Sequence, residues 1–436
     1  KGNKWDFFPS VALAWRMNDE SFPREVDWLS KLKLRLSWGN SGNTAISEYA
    51  TQGALGKYVY YFGTTEQSAM GYLPTELANN QLGWESTEEY NVGVDFGFLN
   101  NRISGSIDGY IRNTRDLLMK RNLPINTGYE FTWQNVGKTR NSGIEIALNT
   151  VPVVTKDFRW TVDLTFGYNK NEIVELFNGK EDSPGNKWFI GQPLYVERLY
   201  KYIGVWQYGE EEEAAKYGRE PGNPKIEDVN NNGVYDEGDL HTFNKIPKWT
   251  AGLSTGFYYK NFDLTIFLYG SYGNKAMNYL SRRITNPNSS GNVHASVANH
   301  ARLGYLDGNS DNTDVWNMYI LPGSNGLCRM SVNDANDNDR ISSRYVEDAS
   351  FLRIQNIALG YTLPKNWLKK LKIENARIYA NIKNVYTFTG YDGYDPEIGS
   401  TQAQYSYSGQ SMLMYGVDTG RCPSPRIYTF GIDLTF

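Results

Sequence analysis

Cysteine is scarce: two in 436 residues, Cys328 and Cys422. That excludes a disulfide-built scaffold and leaves room for one bridge between them. No run of eighteen apolar residues occurs, so there is no transmembrane helix. Excess charge of one sign is lacking too. Forty-four basic and 48 acidic residues give a net charge of −4 and a pI near 5.7, without the electrostatic footprint of a nucleic-acid binder. Helical periodicity is nearly absent. With 42 Gly, 32 Tyr, 19 Phe and 12 Trp, this excludes a helical bundle or an acidic disordered tail.

Enzyme signatures are missing as well. No two glycines are separated by a single residue, so the dinucleotide fingerprint is absent. Gly137-Lys138-Thr139 imitates a phosphate loop, but Thr132 stands where the upstream glycine is needed. There is no G-x-S-x-G elbow, and His241, His294 and His300 form no metal-ligand spacing. The first residue is Lys1 and no signal-peptide h-region precedes the first pattern, so a mature or partial product is expected.

What the chain has is alternation. In 158–171 one face carries Phe158, Trp160, Val162, Leu164, Phe166 and Tyr168, and the other Arg159, Thr161, Asp163, Thr165, Gly167 and Asn169. In 102–115, Ile103, Ile107 and Ile111 oppose Ser104, Asp108, Tyr110 and Arg112. A period of two places alternate side chains on opposite faces of a sheet. These segments exceed the five or so residues of an ordinary strand, and their polar face carries Asp, Arg and Asn beside Gly. Long strands, apolar outside and polar inside, with aromatics at their ends, describe a membrane barrel. The mean hydropathy of −0.56 reads as soluble only because half of every strand and all of every loop is polar.

The alternation predicts eleven strands: 6–17, 32–42, 89–99, 102–115, 138–151, 158–171, 248–260, 262–275, 349–363, 376–390 and 424–436. The intervening connections are 14, 46, 2, 22, 6, 76, 1, 73, 12 and 33 residues, short and long in strict alternation. An outer-membrane up-and-down barrel has short periplasmic turns and long exterior loops, whereas a soluble sandwich has no reason to segregate loop length by parity. The exterior loops are then 43–88, 116–137, 172–247, 276–348 and 391–423. A closed antiparallel barrel needs an even number of strands, so either one strand is miscounted or the chain is part of a larger barrel.

Several segments carry a family resemblance: Phe8-Pro9-Ser10-Val11-Ala12-Leu13-Ala14-Trp15-Arg16, Trp28-Leu29-Ser30-Lys31-Leu32-Lys33-Leu34-Arg35, Arg344-Tyr345-Val346-Glu347-Asp348-Ala349-Ser350-Phe351-Leu352-Arg353, Asn384-Val385-Tyr386-Thr387-Phe388-Thr389, and Tyr394-Asp395-Pro396-Glu397. Together they resemble the C-terminal half of a SusC/RagA-type TonB-linked outer-membrane transporter of the Bacteroidota. The resemblance implies an all-β fold, with eleven strands forming half of a 22-stranded barrel. Residues 1–436 would lack the plug, the TonB box and the first barrel strands. It further implies import of a large nutrient, a glycan or an oligopeptide, without bond chemistry. The implied partners are the other half of the transporter, outer-membrane lipid, a SusD-like surface lipoprotein as lid, and TonB-ExbB-ExbD acting through the plug. The rival expectations are a transporter-like barrel serving as a structural or assembly component without import, and a passive pore.

Asp228-Val229-Asn230-Asn231-Asn232-Gly233-Val234-Tyr235-Asp236-Glu237-Gly238-Asp239 matches calcium-loop spacing. Asp228, Asn230, Asn232, Asp236 and Asp239 supply side-chain oxygens, Val234 its carbonyl, and Gly233 the sharp turn a six- to eight-oxygen Ca²⁺ site requires. The same composition suits a solvated turn. In the exterior loops Tyr60, Tyr61, Trp206, Tyr208, Trp316, Tyr391 and Tyr394 are candidates to stack on a sugar or clamp a peptide, or else to pack loop on loop. Glu210–Glu213 with Ala214-Ala215-Lys216 reads as a solvated helical turn. Tyr428, Phe430, Ile432, Leu434 and Phe436 form the apolar face of a closing strand and the expected barrel-assembly signal. The four longest loops, rich in Asn, Gly and Tyr, are expected to need a docked partner to order them.

Overall fold

The computed structural model describes residues 5–20, 26–44, 50–62, 67–286, 291–312, 314–324, 326–330, 341–369, 373–397, 415–420 and 422–436. Its body is one eleven-stranded antiparallel sheet in which spatial order follows chain order throughout. The strands are β1 (Ser10–Arg16), β2 (Leu29–Asn43), β3 (Glu85–Phe98), β4 (Ile103–Arg115), β5 (Lys138–Val154), β6 (Phe158–Glu175), β7 (Trp249–Tyr259), β8 (Phe262–Tyr272), β9 (Phe351–Thr362), β10 (Asn375–Thr389) and β11 (Ile427–Thr435). All eleven expected strands are present, with shifted ends. β5 outruns its expected end because a bulge between Thr150 and Val153 lets Val153 and Val154 resume pairing with Trp160 and Arg159. β8 stops at Tyr272 because Gly273 turns away at φ +86°.

The sheet does not close. Among the described residues β1 pairs with β2 alone and β11 with β10 alone, so both outer edges lack a neighbour. A closed eleven-strand barrel is thereby excluded, as parity requires. The outer face is apolar along its length: Val11, Leu13 and Trp15 on β1, Ile103, Ile107 and Ile111 on β4, and Tyr428, Phe430, Ile432 and Leu434 on β11 are all exposed, Phe430 to 81%. Such a face suits hydrocarbon. Rings gather at both of its ends. Trp28 on Phe98 (5.4 Å), Trp160 on Phe257 (5.9 Å) and Phe262 on Tyr361 (4.6 Å) lie by the short turns. Trp249 on Tyr272 (5.3 Å) and Tyr386 on Phe388 (4.7 Å) lie by the long loops. These are interfacial girdles. No described helix is long and apolar enough to cross a membrane.

Much of the long loops, among the described residues, pairs with other loop segments. Leu55–Phe62 pairs with Gln67–Pro74, and Val196–Tyr200 with Leu240–Asn244. Tyr202–Val205 pairs with Pro224–Ile226. Phe131–Asn135 pairs with Leu118–Asn122 of its own loop and with Glu76–Leu77 of another, and Lys275–Asn278 pairs with Val346–Asp348 at the far end of its own loop and with Val417–Asp418 of another. The apolar cores sit here. Met277, Tyr345 and Val417 form one cluster, Val205, Ala301 and Cys328 another, and Ala276, Ala349 and Tyr391 a third. Side chains from loops far apart in sequence bury one another, and that burial offsets the ordering entropy. Glu211–Lys216 is the expected short helix, but Glu211 and Ala214 are buried, so only one side of it is solvated.

Candidate functional site

The inner face of the sheet carries long polar side chains that cross glycines. Arg35 on β2 faces Gly93 on β3, which in turn faces Asp108 on β4. With no side chain at Gly93, the Arg35 guanidinium spans the gap, 2.8 Å from Asp108 and 2.9 Å from Asp95. A Cβ on Gly93 would collide with both Arg35 and Asp108. The arrangement recurs twice. Tyr110 on β4 passes over Gly143 on β5 to donate to Asn169 on β6 at 3.2 Å. Arg377 on β10 passes over Gly360 on β9 to Asp263 on β8 at 2.6 Å, and also lies 3.5 Å from Asp433 on β11. The sequence pattern placed Arg and Asp beside Gly on this face; the pairings themselves were not legible, because they depend on register.

At the long-loop end, Arg353 of β9 is buried at 3% exposure. It donates to Thr387 Oγ1 of β10 at 2.9 Å and Glu397 Oε2 at 2.7 Å, and it bridges Asp395. Asp395 also accepts the Ser424 N–H at 3.2 Å. Tyr391 Oη donates to Asp418 at 2.8 Å, and burial first, the carboxylate second, push its phenol far above its ordinary range. The Tyr394-Asp395-Pro396-Glu397 motif thus fastens the start of loop 391–423 to the sheet.

Residues 228–239 fold into a tight coil. Asp228 Oδ2 accepts from Gly233 N–H (2.9 Å) and Tyr217 Oη (2.8 Å), Asn230 Oδ1 from Asn232 N–H (3.0 Å), and Asn232 Oδ1 from Val234 N–H (2.9 Å). Asp239 is fully buried and accepts from Val229 N–H (2.8 Å) and Asp236 N–H (3.0 Å). Asn231 and Gly233 take φ +55° and +80°, the left-handed steps that wind the coil. Desolvation pushes the Asp228 carboxyl up, but the loop N–H groups and Tyr217 outweigh it, and its pKa is lowered. Tyr217 is in turn pushed up to about 12 by desolvation and by Asp228. The donors are all hard oxygens, so the residues fit Ca²⁺ in chemistry. Among the described residues no three His, Cys, Asp or Glu side chains converge as a metal cluster. Asp236 instead accepts from the amides of Asn230 (3.3 Å) and Asn232 (2.7 Å), each of which would present oxygen if turned over.

The aromatic candidates divide. Tyr60, Tyr61, Tyr208, Trp316 and Tyr394 are exposed, Tyr61 to 73%. Trp206 and Tyr391 are buried, which removes both as ligand contacts. Trp206 stacks on Tyr217 with Lys225 over its ring, and Tyr391 is spent on Asp418. Cys328 and Cys422 are not bridged. Cys328 is buried against Val205 and Ala301, 3.9 Å from Tyr202 Oη, while Cys422 is exposed just before β11. Tyr428, Phe430, Ile432, Leu434 and Phe436 are all exposed, on the edge strand β11 and at its end.

Comparison with known proteins places this architecture. The family described as TonB dependent receptor-like, beta-barrel, matches residues 1–385. TonB-dependent receptor P3 of Formosa agariphila is 31% identical over 100% of this chain and 42% of its own length. TonB-dependent receptor SusC of Bacteroides thetaiotaomicron is 30% identical over 100% of this chain and 40% of its own length. The solved structure of the RagAB peptide transporter superposes with a TM-score of 0.75 at 26% identity, covering 100% of this chain and 44% of that one. The chain thus spans about two fifths of the length of the relatives it matches. It belongs to the TonB-dependent receptor-like β-barrel family, as an open eleven-stranded portion of an outer-membrane barrel of the Bacteroidota.

Proposed function

We propose that this chain forms part of a TonB-dependent importer that takes a large nutrient, a glycan or an oligopeptide, across the outer membrane. Strands outside these 436 residues pair with both sheet edges, and TonB-ExbB-ExbD drives the transporter through a plug. A SusD-like lipoprotein seats on the exterior loops. One observation carries this reading: loops 43–88 and 116–137, and loops 172–247, 276–348 and 391–423, are stitched to one another into self-ordered platforms at one end of a sheet with a polar inner wall. A simple pore needs no such platform. Exposed Tyr208 and Trp316 give it flat amphipathic contacts for a ligand or a lid protein. The 228–239 coil holds Ca²⁺ through Asp228, Asn230, Asn232, Asp236, Asp239 and the Val234 carbonyl, and the ion would supply charge that lets the carboxylates draw together.

The test is uptake of fluorescent oligosaccharides and oligopeptides by cells carrying the native locus, with and without the TonB system, beside affinity capture of the assembled transporter. TonB-dependent uptake of one ligand class and co-purification of a lipoprotein that is lost on deleting 291–340 are expected. Undiminished capture after trimming the long loops singly and together would place the lipoprotein elsewhere. Unchanged uptake of every ligand after removal of the chain would leave a scaffold role.

A further inference from the structure

The outer face of the sheet is apolar up to its long-loop end and then turns charged. On this face the register of β3, β4, β5 and β6 sets side chains in rows across the strands. Val92, Gly109, Ile144 and Tyr168 make one row, and the next begins at Tyr90 and ends at Lys170. Beyond it stand Glu88, Asn113, Arg140 and Glu172, and beyond those Arg115, Lys138 and Glu175. Tyr168 continues across the sheet into Trp249 and Tyr272, so the two lower rows hold the girdle of this end. The charged rows therefore begin at the level of lipid headgroups. At Gly109 an added Cβ would meet nothing within 4 Å, which leaves the apolar face open between Val92 and Ile144.

Four cations meet three carboxylates in these rows, and they are unevenly engaged. Glu175 holds Lys138 at 2.6 Å, and Glu172 holds Lys170 at 2.8 Å with Arg140 at 3.8 Å. Arg140 also donates to Asn113 Oδ1 at 2.9 Å. Glu88 accepts from Trp38 (3.0 Å) and Tyr90 (2.9 Å), and feels Arg115 only through space. The Arg115 guanidinium is exposed and has no hydrogen bond or ion pair among the described residues; Asp116, next in the chain, turns off at φ +57°. The register partner of Arg115 on β5 is Lys138, a like charge. Like charges directly opposite destabilise a strand pair. An anion shared between the two removes that penalty.

We infer that Arg115 and Lys138 bind the phosphate of a phosphorylated glycolipid of the outer leaflet, whose acyl chains lie over Gly109. Charge complementarity selects the phosphate, which a free guanidinium grips through two parallel N–H donors. Position selects the lipid as its carrier. The pair faces outward, just above the apolar band and continuous with it, in the middle of the sheet and away from both unpaired edges. Asn113 and Ser142 lie among the cations and suit sugar hydroxyls better than a solid block of charge would. The site is independent of which nutrient is carried and of whether import occurs.

Lipid binding to the assembled transporter, purified from the native locus in mild detergent and stripped of lipid, tests this. Native mass spectrometry reads occupancy with lipid A, with its dephosphorylated form, and with inorganic phosphate as competitor. Lipid A is expected to bind roughly tenfold more tightly than the dephosphorylated form, the gain a charge-assisted contact confers. Arg115→Gln with Lys138→Gln should abolish that preference, and Arg112→Gln, on the inner face of the same strand, should keep it. Equal binding of the two lipids by the native protein overturns the inference, and this arm needs no variant to fold. So does a preference that survives the double substitution in barrels that remain heat-modifiable, or one lost equally with Arg112→Gln. Displacement of lipid A by an equal concentration of inorganic phosphate would assign the pair to a free anion. Disulfide cross-linking of two barrels in the membrane through Arg115→Cys would assign it to a protein contact. Either result likewise overturns the inference.

Discussion

Gly93 shows how a position without a side chain can set the electrostatics of a wall. The Arg35 guanidinium reaches Asp108 only because the strand between them is bare at that point. Gly93→Val would drive a branched side chain into both partners. Overpacking of this kind costs roughly 1–3 kcal/mol. The heat-modifiability of the folded barrel on gels should shift to lower temperature, while Gly109→Val, on the outer face with nothing within 4 Å of its added Cβ, should leave it nearly unchanged. Asp228 gives a pH-dependent case. Its pKa is lowered in the folded coil, so its contribution is fully present above the ordinary carboxylate value and is lost as pH falls through the folded value. Residues 228–239 should resist proteolysis at neutral pH and open below about pH 4. Asp228→Asn should remove the pH dependence, and added Ca²⁺ should steepen the protection in the native chain only.

Among elements, strands and loops were unequally legible in sequence. A strand of eleven to eighteen residues repeats its two-residue period often enough to be seen, and Phe158 through Tyr168 shows it unaided. Pro224–Ile226 and Leu303–Tyr305 are three residues each, too short to display any period, and their partners lie elsewhere in long loops. The same limit hid Arg353, whose acceptors Asp395 and Glu397 lie more than forty residues away and meet it only after β10 returns. Trp206 and Tyr391 were misjudged for a related reason: an aromatic in a polar loop looks alike in sequence whether it faces solvent or Asp418. Arg353→Lys tests the fastening. A lysine cannot reproduce the forked contacts to Thr387, Asp395 and Glu397, and losing a charge-assisted hydrogen bond costs roughly 1.5–3 kcal/mol locally. Protease cleavage within 391–397 should rise sharply while the barrel remains inserted and heat-resistant.

For the whole molecule, the two unpaired edges matter most. In hydrocarbon each unpaired backbone group costs several kcal/mol, so β1 and β11 require neighbouring strands. Ile432→Arg, on the outer face of β11, should cost up to about 2–4 kcal/mol if it sits at mid-membrane. It should lower the yield of assembled barrel in outer-membrane fractions, whereas Thr429→Arg on the inner face should be tolerated. The eleven strands expressed without the partners of their edges should be degraded or aggregate, and co-expression of the complementary strands should restore insertion.

The pairing of Lys275–Asn278 with both Val346–Asp348 and Val417–Asp418 bears on how such proteins diversify. When one short strand is shared between two loops, neither loop can be replaced by a homologous version without leaving the other's backbone groups unmatched. Chimeras that swap 276–348 or 391–423 singly between relatives should express poorly, and those that exchange both together should recover. Recombination among these barrels would then trade recognition surfaces as linked sets, inherited like a cassette, while the strands beneath change one residue at a time.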